Sequence, residues 1–256
     1  MTVTDQHTTD TDLQTFGRTR LSSARFAGVL YLTIFICGLF AELAVRVRLI
    51  EPDDPAATAA NILESPGLFR MGVAADIVML VADVAIAVVL YQLLRPIHRT
   101  LAAFAAAFRL TQTAVLSLNL LSMFQALRIL DDADYLATLG NDPVEALALL
   151  SLDSHRYGYI LGLTFFGFAT IAIGAIAWSS DRMPSALGVV LLLAGTGYVV
   201  DMAMFFMIPG YDGALSGLVL APALIGELWF ALWLLTKGRA LERPTDPSRH
   251  LSSVAA

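Results

Sequence analysis

The sequence predicts an all-α protein, a polytopic membrane bundle of about six transmembrane helices with both termini in the cytoplasm. Three observations lead to this prediction. Of the 256 residues, 57% are hydrophobic and 15% are charged, the apolar residues fall into six separate runs, and Lys and Arg gather on one side of those runs. Soluble domains are about 45–50% apolar and about 25% charged, so this composition is typical of a chain solvated by lipid.

Each apolar run is close to the ~20 residues that an α-helix needs to cross a bilayer. The runs lie at 25–45, 69–94, 100–128, 157–178, 185–207 and 217–236. Residues 24–238 are therefore predicted to form one transmembrane domain, between a disordered arm at 1–23 and a disordered tail at 239–256. The segment 144–156 is apolar but interrupted, and it is either a surface helix or an extension of the fourth span.

The connections between the runs alternate in charge. Ten Lys and Arg residues lie in the arm, the tail and the loops on their side, whereas the opposite loops hold four, Arg46 among them, together with ten acidic residues. An excess of Lys and Arg in short loops marks the cytoplasmic face. We therefore expect both termini in the cytoplasm, as an even number of spans requires, and a multi-pass protein of the cell membrane.

The composition excludes several kinds of partner and cofactor. A net charge of −6 without a basic cluster argues against nucleic acid. The single cysteine, Cys37, permits neither a disulfide within the chain nor a cysteine-based metal site. The chain has no phosphate-binding loop and no hydrolase nucleophile motif. No cofactor, metal site or catalytic residue is predicted, and the lipid bilayer is the expected partner.

Charged residues remain inside the spans or at their edges after the loops are subtracted. They are Glu42, Asp76, Asp83, Arg109, Asp153, Arg156, Asp201 and Glu227. With a rise of ~1.5 Å per residue, Asp83, Arg109 and Glu227 fall near the middle of the bilayer. Since a central charge in hydrocarbon costs about 2.5–3.5 kcal/mol, these three must face one another, or water, inside the bundle.

Polar residues share one face on each of two successive spans. Asp76 and Asp83 are seven residues apart, close to two turns, and they project from one side of the second span. Arg109, Gln112 and Asn119 share a side of the third span. We predict that the two faces meet, with Asp83 paired to Arg109. The predicted buried polar core, a candidate site for a small cation, a proton or a substrate, comprises Asp83, Arg109, Glu227, Asp76, Gln112 and Asn119.

A second polar group falls toward the outer boundary and is predicted to line a vestibule: Glu42, Asp153, His155 and Asp201. Asp153 and His155 are two residues apart and point to different helix faces, so they are not a preassembled catalytic pair. We interpret His155 as a solvated interfacial histidine. With six acids against two arginines in the spans, some carboxyl groups must be protonated, hydrated or bound to a cation.

Gly158 and Gly162 form a GxxxG spacing, which allows two helices to approach closely. We favour packing within one chain, and a homo-oligomer through these glycines is the alternative.

Three functional hypotheses remain open. In the first, the buried carboxylates serve a cation- or proton-coupled transporter of a small solute. In the second, the buried charges only lock the bundle of a structural or signalling protein, such as an accessory subunit. The third is a membrane enzyme that acts on a lipid or a quinone, with His155 as its base.

Several segments spread over 24–238 carry a resemblance to a known family. They are RFAGVLYL at 25–32, AEL at 41–43, DPAATAANIL at 54–63, GLFR at 67–70, YQLLRP at 91–96, HRYG at 155–158, GYVVD at 197–201 and WLLTKG at 233–238. They resemble an uncharacterised bacterial integral-membrane family, domain of unknown function forty-three eighty-six. The resemblance implies a multi-helix membrane protein with no assigned activity, substrate or cofactor.

Overall fold

The structure is a computed structural model that describes residues 22–131, 136, 138–211 and 213–242. Within these ranges the chain is helical and has no β-strand. Its α-helices are α1 (Ser23–Leu49), α2 (Pro55–Glu64), α3 (Pro66–Leu94), α4 (Arg99–Leu130), α5 (Asn141–Trp178), α6 (Ser185–Met207) and α7 (Gly213–Thr236). A short 3-10 helix, Gly238–Glu242, follows α7. The all-α prediction is confirmed.

Six of the described helices, α1 and α3 to α7, are long and apolar enough to cross a membrane. This confirms the predicted number of spans, and α6 coincides with the predicted range 185–207. The largest difference is in α5, which begins at Asn141 and continues unbroken to Trp178. The segment 144–156 is therefore an extension of the fourth span. At ~1.5 Å per residue, this helix is longer than the ~30 Å hydrocarbon layer, so one end projects beyond it.

The two described ends of the chain meet on one side of the bundle. The backbone N–H of Ala24 donates to Oε1 of Glu242 at 2.9 Å. We call this side the terminal face and the opposite side the far face. The predicted disordered segments lie mainly outside the described residues, but Ser23 already begins α1 and residues 239–242 belong to the 3-10 helix. The cytoplasmic orientation of the terminal face stays a prediction.

Helix α2 lies on the far face, where the sequence analysis places only a loop. The side chain of Asp54 caps it by accepting a hydrogen bond from the backbone N–H of Ala57 at 2.9 Å. Pro55 occupies the first helical position, where its fixed φ suits a helix and its missing N–H costs nothing. An aspartate followed by proline is a helix-start signal, and α2 packs on α5.

The core divides into two apolar clusters at opposite ends of the bundle. The cluster near the far face contains Phe69, Val73, Met79 and Leu80 of α3, and the cluster near the terminal face contains Ile86, Leu90, Leu93 and Leu94. Asp83 lies between them. Arg109 occupies the corresponding gap on α4. The fold therefore holds its central charges in a layer between two apolar layers.

Glycines bring α5 and α6 into backbone contact. Gly167 and Gly174 on α5, like Gly188 and Gly195 on α6, are seven residues apart and share a helix face. A Cβ at Gly195 would lie 2.5 Å from the carbonyl oxygen of Gly167, and one at Gly174 would lie 2.8 Å from the backbone nitrogen of Leu192. Small residues permit such an approach in membrane bundles. These glycines are missing from the sequence analysis.

The GxxxG pair faces α4 of the same chain. A Cβ at Gly158 would overlap the amide of Asn119, and one at Gly162 would lie 2.5 Å from Cδ2 of Leu116. This geometry agrees with packing within one chain. A homo-oligomer through Gly158 and Gly162 would require α4 to move away, because α4 already covers both glycines.

Candidate functional site

A buried ion pair joins α3 to α4 in the polar layer. Nε of Arg109 donates to Oδ1 of Asp83 at 2.8 Å, and Nη2 lies 2.7 Å from the same oxygen. Both side chains are 1% exposed. The predicted pair is confirmed. It explains how the bundle tolerates Asp83, since a buried carboxylate without a partner costs several kcal/mol.

Further side chains complete the surroundings of this pair. Nε2 of Gln112, one turn along α4 from Arg109, donates to Oδ2 of Asp83 at 3.1 Å. The guanidinium carbon of Arg109 lies 5.0 Å from the ring centroid of Tyr31 and 4.9 Å from that of Phe166. Aromatic rings at this distance attract a cation. Arg109 is therefore held by one carboxylate and two rings.

Glu227 on α7 is the other carboxyl group at mid-depth. It is buried and accepts a hydrogen bond from the hydroxyl of Tyr198 on α6. Among the described residues, no Lys, Arg or His nitrogen lies within 4.0 Å of its oxygens. The three central charges are all inside the bundle, as predicted, but only two of them pair.

A cavity of about 260 Å³ lies in front of Glu227, and every spanning helix contributes to its wall. The polar wall residues are Asp83, Gln112, Tyr159, Tyr198 and Glu227, and the others are apolar or glycine: Ile34, Phe35, Gly38, Leu39, Met79, Leu163, Phe166, Leu220, Ala223 and Leu224. Oε1 of Gln112 is buried and has no hydrogen-bond partner in the described part of the chain. Buried acceptors are normally satisfied, so this oxygen is available to a ligand or to water.

Arg46 belongs to the bundle interior, and its assignment to a loop in the sequence analysis is wrong. It lies at the end of a π-helical segment of α1, Phe40–Arg46. Its Nη1 donates to Oδ2 of Asp76 at 2.8 Å and its Nε to Oε2 of Glu42 at 2.7 Å. The signal for this contact was the four-residue spacing of Glu42 and Arg46, at which opposite charges on a helix meet.

Asp76 therefore belongs to this far-face cluster and not to the central core in which it was placed. It is absent from the wall of the cavity, and its partner is Arg46.

Replacing Arg46 with methionine is expected to lower the free energy of unfolding by about 3 kcal/mol, because Asp76 then stays buried without its cation. Arg48 on the same helix is exposed, and its replacement with methionine should change this free energy by less than about 0.5 kcal/mol. Chemical denaturation in micelles, followed by circular dichroism, measures both. Equal effects of the two changes would contradict the buried role of Arg46.

His155 is buried, so its interpretation as a solvated histidine is wrong. The side-chain nitrogen of Asn119 lies 3.1 Å from Nδ1 of His155 and donates to its carbonyl oxygen at 2.8 Å. Nδ1 also lies 3.4 Å from the backbone carbonyl oxygen of Asn119, so this nitrogen faces both a donor and an acceptor, and the contacts fit either tautomer of the neutral ring. Asn119 thus faces His155 rather than the cavity. Asn119 lies on the same face of α4 as Arg109, but it does not line the cavity.

The residues predicted to form an outer vestibule have separate contacts. Glu42 binds Arg46, and Asp201 accepts a hydrogen bond from the hydroxyl of Tyr211 at 2.7 Å. Asp153 is half-buried and makes no side-chain hydrogen bond to another described residue. No group of three His, Cys, Asp or Glu side chains in the described ranges is placed to hold a metal ion. Among the described residues, the four predicted vestibule residues therefore share no hydrogen bond with one another, and their role as a vestibule stays a prediction.

Tyrosine hydroxyls and a third arginine change the charge balance drawn from the sequence. Arg46 forms an ion pair with Asp76, while Glu227 and Asp201 each accept a hydrogen bond from a tyrosine hydroxyl. Nothing in the sequence indicates the contact between Tyr198 and Glu227, since the two residues lie on different helices. Glu227 remains as the buried central acid without a cation among the described residues.

Comparison with known proteins shows which family the chain belongs to. A family described as "Domain of unknown function (DUF4386)" matches residues 26–238. The chain belongs to this family. The DUF4386 match covers all six spans and therefore the whole candidate site, and it confirms the resemblance found in the sequence. The family description assigns no activity.

One relative and the solved structures add little about function. An uncharacterized protein from Archaeoglobus fulgidus is 29% identical over 163 residues, which make up 64% of this chain and 81% of that protein. No solved structure matches the chain. The functional argument for this member of DUF4386 therefore depends on its own geometry.

Proposed function

We propose that the protein is a cation- or proton-coupled transporter of a small solute in the cell membrane, with its central site at Glu227 and the cavity in front of it. The observation that supports this proposal is the difference between the central acids. Asp83 is neutralised by Arg109, whereas Glu227 has no basic partner among the described residues and faces a cavity.

The energetic cost of this arrangement favours a functional carboxyl group. Placing an ionisable group near mid-bilayer costs free energy, so such a group is first considered as a substrate or proton site. The hydrogen bond from Tyr198 satisfies only part of the acceptor capacity of Glu227. A bound proton or cation balances the charge of Glu227, which no described side chain neutralises.

The lock hypothesis has support of its own from the two buried ion pairs. Arg109 with Asp83 and Arg46 with Asp76 each tie two helices together, as a structural role requires. A locking role does not account for Glu227, which forms no ion pair with another described residue. We therefore assign the locking role to the two pairs and the transport role to Glu227.

Replacing Glu227 with glutamine is expected to reduce flux at least about tenfold, because the amide can neither take up a proton nor balance a cation. The purified protein is reconstituted into liposomes, and internal pH and cation content are followed after a gradient is imposed. The matched control is Glu64→Gln, since Glu64 is exposed on α2 and should leave the flux unchanged. A flux that is the same for wild type and Glu227→Gln, or is absent from both, overturns the proposal.

A further inference from the structure

We infer that the cavity receives its ligand sideways from the lipid, through a gap between α1 and α7, and that this ligand is an amphiphile with one protonated amine head and an apolar tail. This inference rests on the proposed site at Glu227 and names its substrate class. It depends on where the cavity opens and on which groups form its wall.

Helices α1 and α7 touch near the terminal face and separate toward the far face. A Cβ at Gly28 would lie 2.6 Å from Cγ of Leu235, and one at Gly238 would lie 2.8 Å from Cβ of Ala24. Farther along α1, a Cβ at Gly38 would meet only the sulfur of Met79 on α3, at 3.5 Å. No atom of α7 lies within 4 Å of that Cβ position, and Gly38 lines the cavity together with Leu220 and Leu224 of α7.

The rim of the cavity is exposed at a depth where the surroundings are hydrocarbon. Leu39 on α1 and Leu224 on α7 line the cavity, yet they are 38% and 53% exposed. Leu224 precedes Glu227 by less than one turn, about 4.5 Å along the axis, so it lies close to mid-bilayer. An opening at this depth leads to acyl chains and not to water.

The polar part of the cavity wall consists of groups that accept hydrogen bonds from a cation. Asp83 and Glu227 supply carboxyl oxygens and Gln112 an amide oxygen without a partner. The nearby cation, Arg109, is bound to Asp83 and is not part of the wall. An anionic head would be repelled by the ionised form of Glu227, whereas an ammonium group carries three N–H donors, which suit these acceptors.

The remaining wall suits the charge and the tail of such a ligand. Four aromatic residues line the cavity, namely Phe35, Tyr159, Phe166 and Tyr198, and aromatic rings attract ammonium groups. The volume of about 260 Å³ is below the roughly 300–1,000 Å³ of pockets for drug-sized ligands. It holds the head and the first carbons, and the rest of the tail extends through the gap among the lipid chains.

Photolabelling of the full chain in lipid nanodiscs tests this inference. The probe is an analogue of dodecylamine with a diazirine in its tail, and the adducts are located by mass spectrometry. Labels are expected on α1 and α7 beside Leu39 and Leu224. Unlabelled dodecylamine should compete, while dodecanol and ethylamine at the same concentration should not. Equal competition by dodecanol would overturn the amine head, and equal competition by ethylamine would overturn the apolar tail.

Matched tryptophan substitutions separate the gap from the carboxyl site. Leu224→Trp should lower labelling about fivefold because the larger side chain fills the gap. Ile225→Trp is the control, since Ile225 is the exposed neighbour that does not line the cavity. Glu227→Gln should lower labelling about tenfold through the loss of a charge-assisted hydrogen bond.

The two proposals fail in different ways. If Leu224→Trp labels like Ile225→Trp while Glu227→Gln loses labelling, the gap is wrong and the site at Glu227 stands. If Glu227→Gln labels like wild type, the site at Glu227 is wrong, whatever Leu224→Trp does.

Discussion

Replacing Arg109 with methionine is expected to lower the free energy of unfolding by about 3–5 kcal/mol. The change keeps an unbranched apolar stem but leaves Asp83 without its cation at 1% exposure. Among the described residues, the carboxylate then keeps only the neutral hydrogen bond from the amide of Gln112. Denaturation in micelles, followed by circular dichroism, measures the loss.

A double-mutant cycle shows whether the pair acts as a lock. In the Arg109→Met background, Asp83→Asn removes the stranded charge and should recover most of the lost stability. The matched control is the exposed pair of Arg70 and Asp131, whose nearest atoms are 3.2 Å apart. There Arg70→Met should cost less than about 1 kcal/mol. Strictly additive effects of the changes at Asp83 and Arg109 would rule out coupling between them.

Gly195→Ala is expected to cost about 3 kcal/mol or more, although it adds only a single methyl group. The added Cβ would lie 2.5 Å from the carbonyl oxygen of Gly167 and 2.8 Å from the backbone nitrogen of Ile171. Both contacts are backbone atoms of α5, so relief requires the helices to separate. The yield of monodisperse protein on size exclusion and its melting temperature report the effect.

Gly217→Ala is the matched control for this experiment. A Cβ at Gly217 would meet nothing within 4 Å, and alanine is the better helix former. This change should leave the melting temperature unchanged or raise it slightly. An unchanged melting temperature for both variants would show that α5 and α6 tolerate a wider separation than their backbone contacts indicate.

The spans and the central ion pair could be predicted from the sequence because both follow from the cost of polar groups in hydrocarbon. Each run of about 20 apolar residues satisfies its backbone groups as a helix. Asp83 and Arg109 both lie near mid-bilayer on helix faces that meet, so an ion pair lowers the free-energy cost of burying them. That reasoning uses only depth and helix face, and both can be read from residue numbers.

The remaining site residues could not be predicted, because they depend on how the helices dock. The apolar run predicts that α1 ends at residue 45 and leaves Arg46 in a loop, whereas the helix extends to Leu49. His155 was expected at a solvated boundary, but the extension of α5 places it inside the bundle beside Asn119. Tyr198 reaches Glu227 only after α6 and α7 pack, and no spacing along the chain indicates that contact.

The pairing of both buried arginines also determines how the protein responds to transmembrane voltage. An electric field does work of about 2.3 kcal/mol per elementary charge moved across 100 mV. Arg109 with Asp83, like Arg46 with Asp76, displaces no net charge when the two partners move together. Near the middle of the membrane, the electrical work of any rearrangement therefore falls on Glu227 and on whatever it carries.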